Sequence, residues 1–92
     1  MPMKETDVQA KTTKQIEEEQ LREAERERVR YCKQHPRSPT ALRHPRLMLR
    51  GRSWIALVGS TLQDGIAGIG NSVEAALRAF DVQYANLRKP RA

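Results

Sequence analysis

Three stretches of this chain carry regular spacings of apolar residues, and each spacing predicts a different element. From about Thr12 to Gln34 the residues are strong helix formers without Gly or Pro. Thr12 or Thr13 offers an N-cap, and Glu17–Glu19 suit the positive end of the helix. Its apolar positions, Ile16, Leu21, Ala24, Val29, Tyr31 and Cys32, make only a thin, broken stripe. Such a helix is expected to protrude, to pair with a copy of itself, or to dock on a partner. Local ion pairs are available at Lys14–Glu18, Glu18–Arg22, Glu19–Arg22, Glu23–Arg26 and Glu27–Arg30.

The second stretch is short-period. Leu47–Leu49 and Ser53–Val58 read as strands around a tight reversal at Arg50-Gly51-Arg52, and Ile66–Ile69 follows the Asp64-Gly65 turn signal as a third. The third stretch has helical period: Val73, Ala76, Leu77, Phe80, Tyr84 and Leu87 fall on one face. Asn71 is the expected N-cap, with Glu74 three residues later in a capping box. Lys89-Pro90-Arg91 is the expected stop, and Met1–Lys11 is expected to fray.

Between these stretches lie Pro36, Pro39 and Pro45, with His35-Pro36-Arg37 echoed as His44-Pro45-Arg46. Pro36 ends the first helix, because the residue before a proline is pushed out of the α region. The rest reads as an extended linker with two semi-rigid turns, each displaying an arginine. The expected organisation is a charged helical extension over 1–34, a basic proline-rich linker over 35–46, and a small ββ(β)α domain over 47–92. The fold class is α+β, with an antiparallel sheet of two or three strands packed by the C-terminal amphipathic helix. So few residues rarely supply more than ~3–5 kcal/mol from one core. The other sheet face and an edge strand are left open, so a homodimer or heteromer is the expected assembly.

Charge changes the picture. The 92 residues hold 17 Lys and Arg against 11 Asp and Glu, a formal net charge of +6. Residues 1–33 contain eight of each sign, so the excess belongs to residues 34–92, with nine basic and three acidic side chains. No acidic residue stands between Glu27 and Asp64. A one-signed stretch attracts phosphate or an acidic protein face. Arginine outnumbers lysine there, and its planar fork suits carboxylate or phosphate. The candidate partner- or phosphate-binding residues are Arg37, Arg43, Arg46, Arg50, Arg52 and Trp54. Trp54 serves as a core anchor if it faces inward, and as an interface hot spot if it faces outward.

Candidate chemistry is sparse. His35 and His44 lie in the linker with no acid nearby to orient them, and the serines lack a base–acid constellation. Asp81 reads as a solvent-facing helix residue. Cys32, His35 and His44 fall one ligand short of a closed zinc site. Gly65, Gly68 and Gly70 are spaced G-x-x-G-x-G, which is not the dinucleotide pattern, and read better as room for a helix to lie close on the sheet. No catalytic residue, metal or cofactor is expected. The longest apolar run, Trp54–Val58, is far short of the ~20 residues of a membrane span. The opening residues show no signal-peptide pattern and the single cysteine fits a reducing compartment, so a cytoplasmic address is expected.

The segment Trp54–Val58 followed by Gly65–Leu77 resembles the strand–strand–helix half of HicB-like antitoxins. The likeness rests on Gly70, Asn71, Ser72, Glu74, Ala76 and Leu77, at the family's Gly-(Asp/Asn)-(Ser/Thr)-x-Glu-x-Ala-Leu helix start. The chain is also loosely similar to small phage and prophage proteins. The resemblance implies a cytosolic, non-enzymatic module that folds on or blocks a partner, typically a nuclease toxin. Charge, size and resemblance together lead to an expected function: a protein-binding or inhibitory module, phage-derived, acting on a bacterial nucleic-acid-processing or defence complex. The alternative is a basic protein that binds nucleic acid without sequence specificity.

Overall fold

The computed structural model describes residues 12–88; the expectations for Met1–Lys11 and for Lys89-Pro90-Arg91 lie outside the described residues. The elements are α1 (Thr13–Gln34), α2 (Pro39–Arg43), β1 (Arg46–Arg50), β2 (Ser53–Val58), β3 (Ile66–Gly70) and α3 (Val73–Arg88). The fold is α+β: a long N-terminal helix, a three-stranded antiparallel sheet and a C-terminal helix. The sheet order is β1-β2-β3, and both pairings are antiparallel.

Caps set the helix starts. Thr12 is the N-cap of α1: its Oγ1 accepts from Gln15 N–H at 3.1 Å, and its own N–H donates to Gln15 Oε1 at 3.0 Å. These two bonds satisfy two of the orphan donors of the first turn. At α3 the expected cap is displaced by one residue. Ser72 Oγ, rather than Asn71, accepts from Ala75 N–H at 3.1 Å. Glu74 therefore stands at the second helical position, where a capping box cannot form, and pairs with Arg78 at 2.6 Å instead. Along α1, Glu23–Arg26 forms at 2.6 Å as expected, and Glu25–Arg28 adds a pair at 2.8 Å.

Between Arg50 and Ser53 the β1–β2 hairpin turns through Gly51 and Arg52, with Gly51 at φ 59°. A two-residue hairpin loop needs that left-handed conformation at its first position, and glycine adopts it without Cβ strain.

Strand alternation and register divide the sheet into two faces. Leu47, Leu49, Trp54, Ala56, Val58, Ile66, Gly68 and Gly70 share one face; Arg46, Met48, Arg50, Ser53, Ile55, Leu57, Ala67 and Ile69 share the other. The core forms on the first face, where Leu47 and Ala56 meet Val73, Ala76, Leu77 and Phe80 of α3 and Ala24 and Tyr31 of α1. The helix lies very close to the sheet there. A Cβ added at Gly68 would stand 2.1 Å from Phe80 N and 2.3 Å from Ala76 O, and one at Gly70 would stand 2.6 Å from Ala75 Cβ. The glycine spacing in this strand is therefore structural.

Helix α1 does not stand apart. Its thin stripe splits: Ala24 and Tyr31 are buried in the common core, whereas Ile16 and Val29 stay exposed. The three sequence segments thus share a single core. The expected extended linker is also corrected, because Pro39–Arg43 forms a helix. Ser38 caps it, with Oγ accepting from Ala41 N–H at 3.1 Å, and Pro39 takes the first helical position, where its missing N–H costs nothing. His44 ends the helix in the left-handed conformation, φ 54°.

Candidate functional site: an arginine-flanked sheet face

What fixes the arginine-bearing segment is a three-element junction at Asp81. Asp81 Oδ1 accepts from Thr40 N–H at 2.8 Å and from Thr40 Oγ1 at 2.7 Å, while Oδ2 accepts from the Tyr31 hydroxyl at 2.6 Å. Asp81 is therefore no solvent-facing residue: it ties α1, α2 and α3 together, and Thr40 is fully buried beside it. Burial, aided by the hydrogen bond to Asp81 and its negative charge, raises the Tyr31 pKa well above the ordinary tyrosine value. Local pattern could not reveal this junction, because its partners lie 41 and 50 residues apart in sequence.

With α2 held in this way, the candidate arginines leave the chain in different directions. Arg37 is exposed in the turn between α1 and α2. Arg43 packs on the helical side of the molecule: its Nε donates to the Tyr84 hydroxyl at 2.7 Å, and its guanidinium carbon lies 5.4 Å from that ring's centre. Arg52 is exposed in the hairpin turn. Only Arg46 and Arg50 share a surface, the sheet face away from the helices. Trp54 points to the helical side, half-buried against the core, and is a core anchor. The sequence-predicted site residues thus form two pairs, Arg46 with Arg50 on the outer face and Arg52 with Trp54 along a cleft against α1, while Arg37 and Arg43 stand apart.

Among the described residues, no ion pair engages Arg37, Arg46, Arg50 or Arg52. The glutamates of α1 seen in ion pairs serve Arg26 and Arg28 of the same helix.

The sheet face that the sequence left open is the surface between Arg46 and Arg50, whose apolar residues it did not single out. Across the register, Met48, Ile55 and Ile69 form one row and Arg46, Leu57 and Ala67 the next. Among the described residues no helix covers this face. Leu57, only 2% exposed, is closed off by the loop over 59–65: a Cβ at Gly65 would come within 2.9 Å of its Cδ1. Arg46, directly across from Leu57, anchors that end by donating from Nη2 to Gly59 O at 2.7 Å. Ile55 is shielded between Met48 and Ile69, and Ile69 itself is 58% exposed. The result is a small aliphatic surface with a cationic rim. The alternation of Leu47-Met48-Leu49 and Trp54-Ile55-Ala56 was the available signal, because both faces of these strands read as apolar.

The residues weighed for chemistry lie elsewhere. Cys32 lies with Sγ 3.9 Å from Thr40 O, and Cys32 and His44 line an open cleft together with Arg28, Lys33 and Pro36. The ring of His35 stacks on Tyr31 with centroids 4.4 Å apart. Among the described residues, no cluster of three or more His, Cys, Asp or Glu is placed to hold a metal. No helix among them is long and apolar enough to cross a membrane. Compared with family models, characterised proteins and solved structures, the chain matches none, so the reading of this surface rests on its own residues.

Proposed function

We propose that the chain is a non-enzymatic protein-binding module whose uncovered sheet face docks on an acidic surface of a larger protein. The observation that carries the proposal is the aliphatic surface of Met48 and Ile69, on either side of the buried Ile55 and rimmed by Arg46 and Arg50. An apolar centre with charged residues at its margin is how protein interfaces divide their work: the centre supplies affinity, the rim steering and register. The HicB-like resemblance directs the choice of partner to a nucleic-acid-processing or defence protein of a bacterial host, which the module would block by occupying an acidic or phosphate-competing surface.

The test is retention of a stoichiometric protein from nuclease-treated bacterial lysate. The unaltered chain is expected to retain it. The combined variant Arg46→Glu/Arg50→Glu/Ile69→Asp is expected to lose it while its circular dichroism stays unchanged. Equal retention by both chains, or none by either, would sink the proposal.

A second reading draws on the same arginines. Arg46 and Arg50 lie four residues apart on one strand face, roughly 13 Å at strand rise. Such a row can follow a nucleic-acid backbone. Binding of this kind weakens with salt by a slope of roughly −0.9 per phosphate contacted. A flat salt response, or no shift with either duplex or single strand, removes it.

A further inference from the structure

The two edges of the sheet are not equivalent. Strand β1 has α1 packed beside it and an arginine at each end, both of which discourage an incoming strand. Strand β3 has neither. Its sequence is Ile66-Ala67-Gly68-Ile69-Gly70, without charge or proline, and it is the last strand of the sheet. Among the described residues, no backbone group outside the β2 ladder pairs with it. Alternate residues of β3 therefore turn their N–H and C=O groups outward without a protein partner.

The space beside that edge has a definite width. The close approaches at Gly68 and Gly70 place the α3 backbone directly above β3 rather than between β2 and β3. A helix is roughly 10 Å across, so about half that width overhangs the edge. One added strand occupies about 4.8 Å. By these dimensions one added strand would lie beneath that overhang. Counting 100° per residue from the sheet-facing Phe80, the overhanging side of α3 carries Ala79, Gln83 and Asn86, all uncharged, while Ala75 sits over Gly70. The acidic and basic residues Glu74, Arg78 and Asp81 lie on the other flank, towards α1.

This width also decides against a second copy pairing through its own β3. A two-fold β3–β3 pairing would bring two overhanging α3 axes to about 5 Å at the sheet, whereas packed helices need 8–10 Å. A single strand without a helix above it fits.

Building on the reading of the chain as a protein-binding module, we propose that the outer edge of β3 receives one extended segment of the partner protein as a fourth strand. The segment is uncharged, with small or β-branched residues at the alternate positions that lie beneath α3. The backbone ladder supplies affinity and the slot supplies selection, as in other strand-addition complexes.

The test uses the full chain and decapeptides selected against it from a random displayed library. Recovered sequences are expected to alternate small or β-branched residues. Two versions of the tightest peptide are then made, N-methylated at one or the other set of alternate residues. One set should weaken binding at least about tenfold and the other change it less than about twofold, because only one edge of the peptide faces β3. Ala79→Lys, at a half-buried position on that flank of α3, should weaken binding at least about tenfold with unchanged circular dichroism. Equal tolerance of both methylation patterns overturns the proposal, as does failure to recover any peptide. A dimer in sedimentation equilibrium that protects β3 amides from exchange would instead assign the edge to a second copy, and also overturns it. Arg46→Glu/Arg50→Glu should leave peptide binding intact, so loss of the arginine reading and loss of the edge reading are separable outcomes.

Discussion

The two faces of the sheet bury apolar surface by opposite means. Under the helices, the central row is Leu47, Ala56 and Gly68, and at Gly68 burial is achieved by bringing the α3 backbone into contact with the strand. On the other face the corresponding row is Met48, Ile55 and Ile69, where aliphatic bulk is left to shield itself. Leu57 and Ile55 are buried there, and the exposed Ile69 beside them, flanked by two arginines, is the kind of surface that marks an interaction site. The contrast separates residues whose job is to hold the fold from residues whose job lies outside it, and it can be challenged on both sides.

The strongest challenge is Gly68→Ala. The added Cβ meets backbone atoms of Phe80 and Ala76, which cannot rotate away, so α3 must lift from the sheet. A loss of about 3 kcal/mol or more is expected, read as a fall in urea midpoint. A shift below about 1 kcal/mol would mean that close helix approach is not what covers this face. Next in size is Asp81→Ala, which leaves the Thr40 N–H and the Tyr31 hydroxyl without their acceptor and the Thr40 hydroxyl with only Leu77 O, at 3.4 Å. About 2–3 kcal/mol is expected, with earlier amide exchange in α2 than in β2.

A smaller effect comes from alkaline pH. Tyr31 ionises less readily in the folded state than at its ordinary value near 10. Above that pH the unfolded chain gives up the proton first, so it binds fewer protons than the native state. Stability contributed by this group is complete below about pH 10 and declines as pH rises beyond it. Thermal midpoints of the native chain should therefore fall more steeply above pH 10 than those of Tyr31→Phe. The smallest effect is expected on the open face: Ile69→Ser should change stability by less than about 0.5 kcal/mol. If it costs as much as Asp81→Ala, Ile69 belongs to the fold and the division between the faces fails.

Much of the fold was legible because its signals are local. Thr12 and the unbroken helix formers after it mark α1, and the hydrophobic period from Val73 marks α3. The glycines of β3 foretold a close helix. The cap of α3 was misplaced by one residue because Asn71 and Ser72 are both good N-caps, and only geometry shows which side chain reaches the third N–H. The helix at Pro39–Arg43 was missed although Ser38-Pro39 is a proper start signal, because three prolines in ten residues read more simply as a linker. The site was less legible. Linear order places Arg37 through Arg52 together, yet α2 and the strand alternation send Arg43 to Tyr84 and only Arg46 and Arg50 to a common face.

Tyr31 and Ala24 have one further consequence. Since both sit inside the core built by the C-terminal half, residues 35–92 alone would expose the groove that α1 fills, and a fragment cut there should be largely unstructured. Adding a synthetic α1 peptide to the remaining chain should restore structure in trans, which makes this helix a natural breakpoint for split reporters of the protein's assembly.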